Sequence, residues 1–493
     1  MKNFKKIKQT TILFLTLFCV HFFTFAQGSY EDYVKQQQQA FTNYTQTQKE
    51  NYKKYVDSLN QKYAEYLAQQ WKNFELFKND PLIKNPIPKP PIFDNSLPTP
   101  EPVEIPIIKP KPEPKPQPIE EPKPVPPPAP VDKYPIKTVF FGTTISLKEM
   151  PKSTIHLLGT SEKEVAGYWS ALAKVPHYAD WKNEALRLKN DLQLNEWGLY
   201  QLLNRLFLAY FPQGNENEQV FFSIFMLNQL GYRAKIGRTA NELVPLIAFQ
   251  NEVYNTPYFM NSADLNVKYS VINPKQKNLS SIQTCQIDYE GAKNNINMNI
   301  TKMPHFAVNL KSKMLKEKQI QYNQNVVDFC VTYPCVDFSI YAEAALDEFF
   351  WKSIEAQIAP VVRNKSQEEA VNWLLNFVQN AFKYKTDEEQ FGYEKWNFAE
   401  ETIASEFSDC EDRSILFAQL VRRLLNMPVV LVYYPNVHLA TAVKFSNPAT
   451  NGDYFIIDGE KYLICDPTYI NASLGMAMPN LKNVPAEVVK LKY

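Results

Sequence analysis

Residues 80–135 hold more than half of the chain's 36 prolines. Runs such as Lys109-Pro110-Lys111-Pro112-Glu113-Pro114-Lys115-Pro116 lack the amide donors and backbone freedom that helix and sheet require. The stretch is expected to be a polyproline-II spacer, on the order of 170 Å long if fully extended at ~3.1 Å per residue. Interspersed Lys and Glu keep it solvated. Whatever packs must therefore lie before or after it.

Before it stand two segments. Residues 1–26 read as a secretory signal: Lys2, Lys5, Lys6 and Lys8, an apolar run from Ile12 to Phe25, and a small-ended cleavage site at Ala26. The mature chain is then exported to a periplasm, cell envelope or exterior. No later apolar run reaches spanning length, so no transmembrane span is expected in it. Residues 27–79 repeat every eleven positions. Tyr30, Phe41, Tyr52, Tyr63 and Phe74 form one row; Tyr33, Tyr44, Tyr55, Tyr66 and Phe77 form another. Eleven residues in three turns keep both rows on one face of a long helix. That face calls for a coiled-coil copy, an envelope partner or the chain's own globular part. A membrane-surface role fits less well, because the polar face is rich in Gln rather than Lys and Arg.

After the spacer, composition is ordinary for globular protein, at 45% hydrophobic with net charge +1, and gives no sign of nucleic-acid binding. Residues 136–296 read as a helical, α+β domain. Thr138–Gly142 is a strand; Glu162–Ala173, Trp181–Leu188 and Glu196–Tyr210 are helices. Residues 297–341 read as a small antiparallel β unit with strands at His305–Leu310, Asn325–Cys330 and Val336–Ile340. Cys330 and Cys335 would bridge its hairpin in an oxidising compartment. No Cys and His spacing matches a zinc site, and no glycine loop suits a phosphate, so no metal and no cofactor is expected. His156, His177 and His305 are isolated and read as structural.

Residues 342–493 carry the chemistry. Ser408-Asp409-Cys410-Glu411-Asp412-Arg413-Ser414 opens an apolar run to Leu425. Ser408 or Asp409 suits an N-cap, Glu411 and Asp412 suit the first turn, and Ile415, Leu416, Leu420, Leu424 and Leu425 give one apolar face. A cysteine at a helix start is a common way to lower a thiol pKa. Val429–Val432 is a buried strand, His438 heads a second, and Tyr462–Cys465 ends a hairpin before Asp466-Pro467-Thr468. A Cys–His–Asp set lets imidazole take the thiol proton while carboxylate fixes its tautomer. Taken singly, each residue has a plain structural reading: a buried thiol, a strand histidine, a turn aspartate. The acids around Cys410 oppose a thiolate, and Arg413 with protonated His438 would have to offset them.

From about Lys365 to Asn483 the chain resembles the transglutaminase-like, papain-related cysteine protease superfamily. The resemblance rests on Ser408 to Asp412, His438-Leu439-Ala440 and Asp466-Pro467-Thr468, in that order; Ser408 stands where glycine often precedes Asp-Cys. It implies Cys410 as nucleophile, His438 as general base and acid, and Asp466 as orienting group. It further implies a substrate cleft lined by an upstream aromatic, for which Trp396 is the choice; the acids beside Cys410 suggest Asp409 as a second substrate contact, selecting a basic or amine-bearing substrate. The implied fold is α+β, a catalytic helix packed on an antiparallel sheet. Setting Leu230-Gly231 on Leu425-Asn426 superimposes an earlier helix–turn–strand unit, with Asn215 at the cysteine and the histidine on or beside Leu243, as in a degenerate copy. The expected activity is acyl transfer at amide bonds of peptides or proteins, hydrolysis more than cross-linking. The alternative is a non-enzymatic envelope scaffold or binding protein with a vestigial triad.

Overall fold

In the computed structural model the described residues are 3–79, 107–108, 134–150, 155–175, 178–240, 242–261, 267–272 and 279–492. The spacer other than 107–108 and 134–135, and His177, lie outside them. The chain forms two units, Met1–Tyr63 and Ala64–Tyr493. Among the described residues no helix is long and apolar enough to cross a membrane.

Helix α1 (Asn3–Leu67) supplies the first unit and runs just past it. The expected aromatic helix to residue 79 is too long. The Trp71 indole donates to the Leu67 carbonyl at 3.0 Å and closes the last turn. The final pair of the repeat then leaves the helix for β1 (Lys72–Glu75) and β2 (Phe77–Lys78). Phe74 packs on Phe259 with ring centroids 4.7 Å apart, and Phe77 meets Tyr258 at 6.1 Å. Strand pairing and core contact outweigh the helical period there.

The spacer is not wholly free of sheet either. Ile107–Ile108 forms β3 and pairs in parallel with a strand at Ala486–Lys490. Two consecutive isoleucines lie in a gap between Pro106 and Pro110, and a sheet edge tolerates flanking prolines.

A hairpin, β4 (Ile136–Phe140) and β5 (Thr143–Leu147), is followed by α2 (Glu162–Lys174), α3 (Tyr178–Asp191), α4 (Glu196–Tyr210) and α5 (Glu216–Gln229). Capping boxes at Ser161/Glu164 and Asn215/Glu218 start α2 and α5. Then come β6 (Ala234–Thr239), β7 (Glu242–Ala248), β8 (Pro257–Met260), β9 (Lys268–Val271) and β10 (Ser281–Thr284). The expected three-strand unit at 297–341 is instead one hairpin, β11 (Leu310–Leu315) and β12 (Lys318–Asn323), followed by α6 (Gln324–Cys330) and α7 (Phe338–Glu343). Asn323 caps α6 by accepting from the Asn325 amide, which turns a strand-like apolar run into a buried helical turn. Cys330 and Cys335 are free thiols, as are Cys285, Cys410 and Cys465, so the expected bridge is not formed. Cys335 lies beyond the end of α6, and its sulfur points to the Glu394 carbonyl at 3.3 Å.

The last part comprises α8 (Glu348–Gln357), α9 (Ala359–Val362), α10 (Gln367–Ala381), β13 (Lys383–Tyr384), α11 (Asp387–Phe391), α12 (Ala399–Ala404), β14 (Phe407–Ser408) and α13 (Cys410–Leu420). A π-helical turn, Val421–Leu425, follows α13. The strands are β15 (Val429–Tyr434), β16 (His438–Lys444), β17 (Tyr454–Ile457), β18 (Glu460–Cys465) and β19 (Ala486–Lys490). The molecule is thus a mixture of helix and sheet, compatible with an α+β class.

Two large sheets share one wiring. The first runs β1-β10-β6-β7-β9-β8-β2 and the second β17-β18-β16-β15-β19-β3. Reading β6 to β10 against β15 to β19 in chain order, the spatial succession is the same, with every pair antiparallel. Each set is preceded by a helix on its two leading strands: α5 on β6 and β7, α13 on β15 and β16. Each helix leads into a left-handed residue, Gly231 at φ 90° and Asn426 at φ 50°.

Candidate active site

Helix α13 was expected to show one apolar face, but all its residues from Cys410 to Leu420 are buried. It is enclosed by α7, α10, α12 and the sheet strands β15 and β16. Its polar side chains are consequently bolts rather than a solvated face. Arg413 donates to Ser408 Oγ at 2.9 Å, to the Gln379 carbonyl at 3.3 Å and to the Phe382 carbonyl at 3.1 Å. Ser414 Oγ donates to the Leu439 carbonyl at 2.9 Å, and Gln419 donates to the Ala344 carbonyl at 3.0 Å. Asp412 accepts from the Asn397 amide at 2.9 Å and from its side chain at 2.8 Å. Buried polar groups satisfied in this way fix a helix's rotation as well as its position.

That position puts the Cys410 sulfur 3.3 Å from the amide of Leu439, the residue after His438. His438 heads β16, opposite Tyr434 of β15. Its Nε2 lies 2.9 Å from Asp466 Oδ2. The other oxygen, Oδ1, accepts from the Thr468 and Tyr469 amides at 2.9 and 3.2 Å. Asp466 therefore has a fixed orientation, one oxygen for the chain and one for the ring. Its own loop is held by Gln379, whose Nε2 donates to the carbonyls of Asp466, Tyr469 and Ala472 at 3.1, 2.9 and 3.0 Å. In the tautomer whose Nε2 donates to the carboxylate, Nδ1 is left as an acceptor, and that nitrogen has no hydrogen-bond partner.

The sulfur differs from expectation. A helix start was expected to lower the thiol pKa. Instead burial, then the charges of Glu411 and Asp409, push the Cys410 thiol well above its ordinary value. The thiol donates to Glu411 Oε2 at 3.0 Å. The half-charge of a helix end cannot outweigh a full carboxylate in contact and the loss of water. Nor does Arg413 offset the acids by contact, since its hydrogen bonds go to Ser408 and to carbonyls. Cys410 and His438 are 0% exposed and Asp466 1%, so the site described is closed.

The two expected substrate contacts are also inside. Trp396 is 2% exposed, with its ring 4.1 Å from Phe338 and 5.4 Å from Tyr254. It is a core aromatic in this closed arrangement, because Phe338 of α7 and Tyr254 both pack against it. Asp409 occupies the N-cap position of α13 but makes no side-chain cap. Burial raises its carboxyl to about 6. Asp387, Asp409 and Asp412 each bring a carboxylate oxygen within 4.8 Å of the others, and all three are buried. Burial, then the Asp409 charge, raises Asp387 and Asp412 well above the usual carboxylate range. These are the described residues best placed to hold a cation, and no spacing in the sequence flags them, since Asp387 comes from α11.

Gln379 also escaped the sequence reading. Its signal was a glutamine on the apolar side of α10, among Leu374, Leu375, Phe377 and Val378. In the first sheet, the offset sets Asn215 at Cys410 and His438 on or beside Leu243. Asn215 is the N-cap of α5, and it is the Asn217 side chain that receives the Leu243 amide, at 2.8 Å. The contact is like that of the Leu439 amide on the Cys410 sulfur, and Glu242, not Leu243, heads β7.

Residues 353–485 match the family model described as a transglutaminase-like domain. No curated protein and no solved structure matches the chain.

Proposed function

We propose that this chain, a member of the transglutaminase-like superfamily through residues 353–485, is an exported thiol enzyme acting on amide bonds of peptides or proteins, by hydrolysis rather than cross-linking. The observation that carries the reading is the His438 ring. One nitrogen is tied to Asp466, the other is bare, and the sulfur of Cys410 sits on the next residue's amide. In the reaction His438 Nδ1 takes the Cys410 proton, and the sulfur attacks the amide carbon. The amine leaves with that proton, and water then cleaves the thioester with His438 as base. Asp466 holds the ring and stabilises its charged form. The roles of nucleophile, base and orienter need all three side chains and no metal.

The first sheet, with α5, is read as a degenerate copy of the catalytic α+β core. The matched strand succession and the Asn217–Leu243 contact support it. Having amide in place of thiol, it binds or packs and performs no such chemistry. Residues 1–26 are the export leader, and the Pro-rich stretch is a spacer pinned to the second sheet at Ile107–Ile108.

One observation favours a second reading. A fully buried thiol held by Glu411 suits a scaffold with a vestigial triad as well as a closed enzyme. A thiol-reactive activity probe at neutral pH separates them. An enzyme labels at Cys410 faster than an ordinary thiol, and the rate collapses in His438→Ala, with Cys410→Ala as blank. Labelling no faster than a free thiol and indifferent to His438 sinks the enzymatic reading.

A further inference from the structure

The catalytic reading leaves one large surface unused. On α1, Tyr33, Phe41, Tyr44, Tyr52 and Tyr55 are 58, 72, 64, 61 and 54% exposed. Their eleven-residue period sets them in two neighbouring rows on one face of the helix. By helical phase Val34, Gln37, Ala40, Thr45, Gln48 and Asn51 lie within and beside the rows, and none is charged. Lys35, Glu50, Lys53 and Asp57 fall on the opposite side, where Lys53 and Asp57 pair in solvent at 2.8 Å. A charge-free aromatic face of this length is costly to leave in water.

We propose that this face pairs with the same face of a second copy of the chain, antiparallel. A ladder with an eleven-residue period is matched along its length by another ladder of that period, and the chain supplies one. The spacing is also palindromic. Tyr33 and Tyr52, and likewise Phe41 and Tyr44, are equidistant from the midpoint between Thr42 and Asn43. An antiparallel neighbour therefore sets Tyr33 against Tyr52, Phe41 against Tyr44 and Gln37 against Gln48, the self-complementary contact of a two-fold dimer. The area suffices. Aromatic side chains bury ~150–250 Å² each, so five that are more than half exposed cover on the order of 500 Å² per helix. The flanking Val, Ala and Gln then carry it toward the ~800 Å² per partner of a stable interface. A lipid surface would favour Lys and Arg beside the rows, where Gln, Thr and Asn stand.

Sedimentation velocity on the chain from Gln27 onward tests this. The expected result is a dimer at micromolar concentration and a monomer for the Phe41→Glu, Tyr44→Glu double variant. Lys53→Glu, on the opposite face, should stay dimeric, and helicity by circular dichroism should be equal in all three. In the antiparallel order, Gln37→Cys mixed with Gln48→Cys cross-links on oxidation, whereas Gln37→Cys alone does not. A monomeric wild type, or one that is monomeric and binds vesicles through this helix, overturns the proposal. Cross-linking of Gln37→Cys alone overturns the antiparallel order.

Discussion

The Cys410 thiol donates to Glu411 Oε2 at 3.0 Å, so the neighbouring residue holds its proton. Where Glu411 is ionised, replacing that carboxylate by a neutral isostere removes a charge that opposes the thiolate. Glu411→Gln is therefore expected to raise Cys410 alkylation at alkaline pH by about tenfold for each 1.4 kcal/mol of repulsion relieved. Timed alkylation followed by mass spectrometry reads the rate; an unchanged rate would mean that burial alone holds the thiol.

The second expectation concerns the ring. Asp466→Asn turns an acceptor toward Nε2 into a group able to donate, which favours the wrong tautomer of His438. By analogy with the Asp-to-Asn change in a serine-protease triad, turnover should fall on the order of 10⁴-fold. The pH profile of Cys410 alkylation in this variant should approach that of His438→Ala.

Gln379 is expected to act through Asp466. Gln379→Leu keeps the volume of the side chain but leaves the carbonyls of Asp466, Tyr469 and Ala472 without their donor. A cost of ~1–3 kcal/mol is expected for unpaired buried acceptors. Urea unfolding measures that loss. A positioning role further predicts that Cys410 labelling slows in conditions where the variant is still folded; normal labelling would leave Gln379 a purely structural residue.

Stability should depend on pH through the acid cluster. Burial raises Asp409 from 3.8 to about 6 and lifts Asp387, Glu411 and Asp412 further. A carboxyl whose folded pKa is raised favours the folded state while protonated. That contribution is complete below the unfolded pKa and disappears as pH climbs through the folded one. For Asp409 the window runs from 3.8 to about 6, and the loss across it is roughly 2–3 kcal/mol. Asp409→Asn should flatten this part of a urea-midpoint-against-pH curve. A wild-type curve that rises over the same interval would contradict the burial argument.

Much of the last part of the chain was legible before any coordinates. The bounds of α4 and the run of α13, β15, β16 and β18 follow from apolar periodicity and turn residues. Contacts that need distant partners were not legible. Trp396 looks like a cleft aromatic in sequence because nothing there announces Phe338 and Tyr254 on its faces. Asn325–Cys330 carries two valines and a phenylalanine and reads as a strand, and the Asn323 cap starts it as a helix. Phe74 and Phe77 keep the helical period of their predecessors yet pair as strands, since the sheet offers more than the period does. The thiol's state was misjudged for a similar reason. The dipole of a helix is written in its sequence, whereas the dryness around it comes from α7, α10 and α12.

Asn217 on the Leu243 amide and Cys410 on that of Leu439 are two like contacts between a helix start and a strand, and the first gives the chain an internal standard. What such a contact alone imposes on a side chain can be measured at Asn217, in the same sample and at the same temperature. Any behaviour of Cys410 beyond that baseline is owed to sulfur, imidazole and carboxylate.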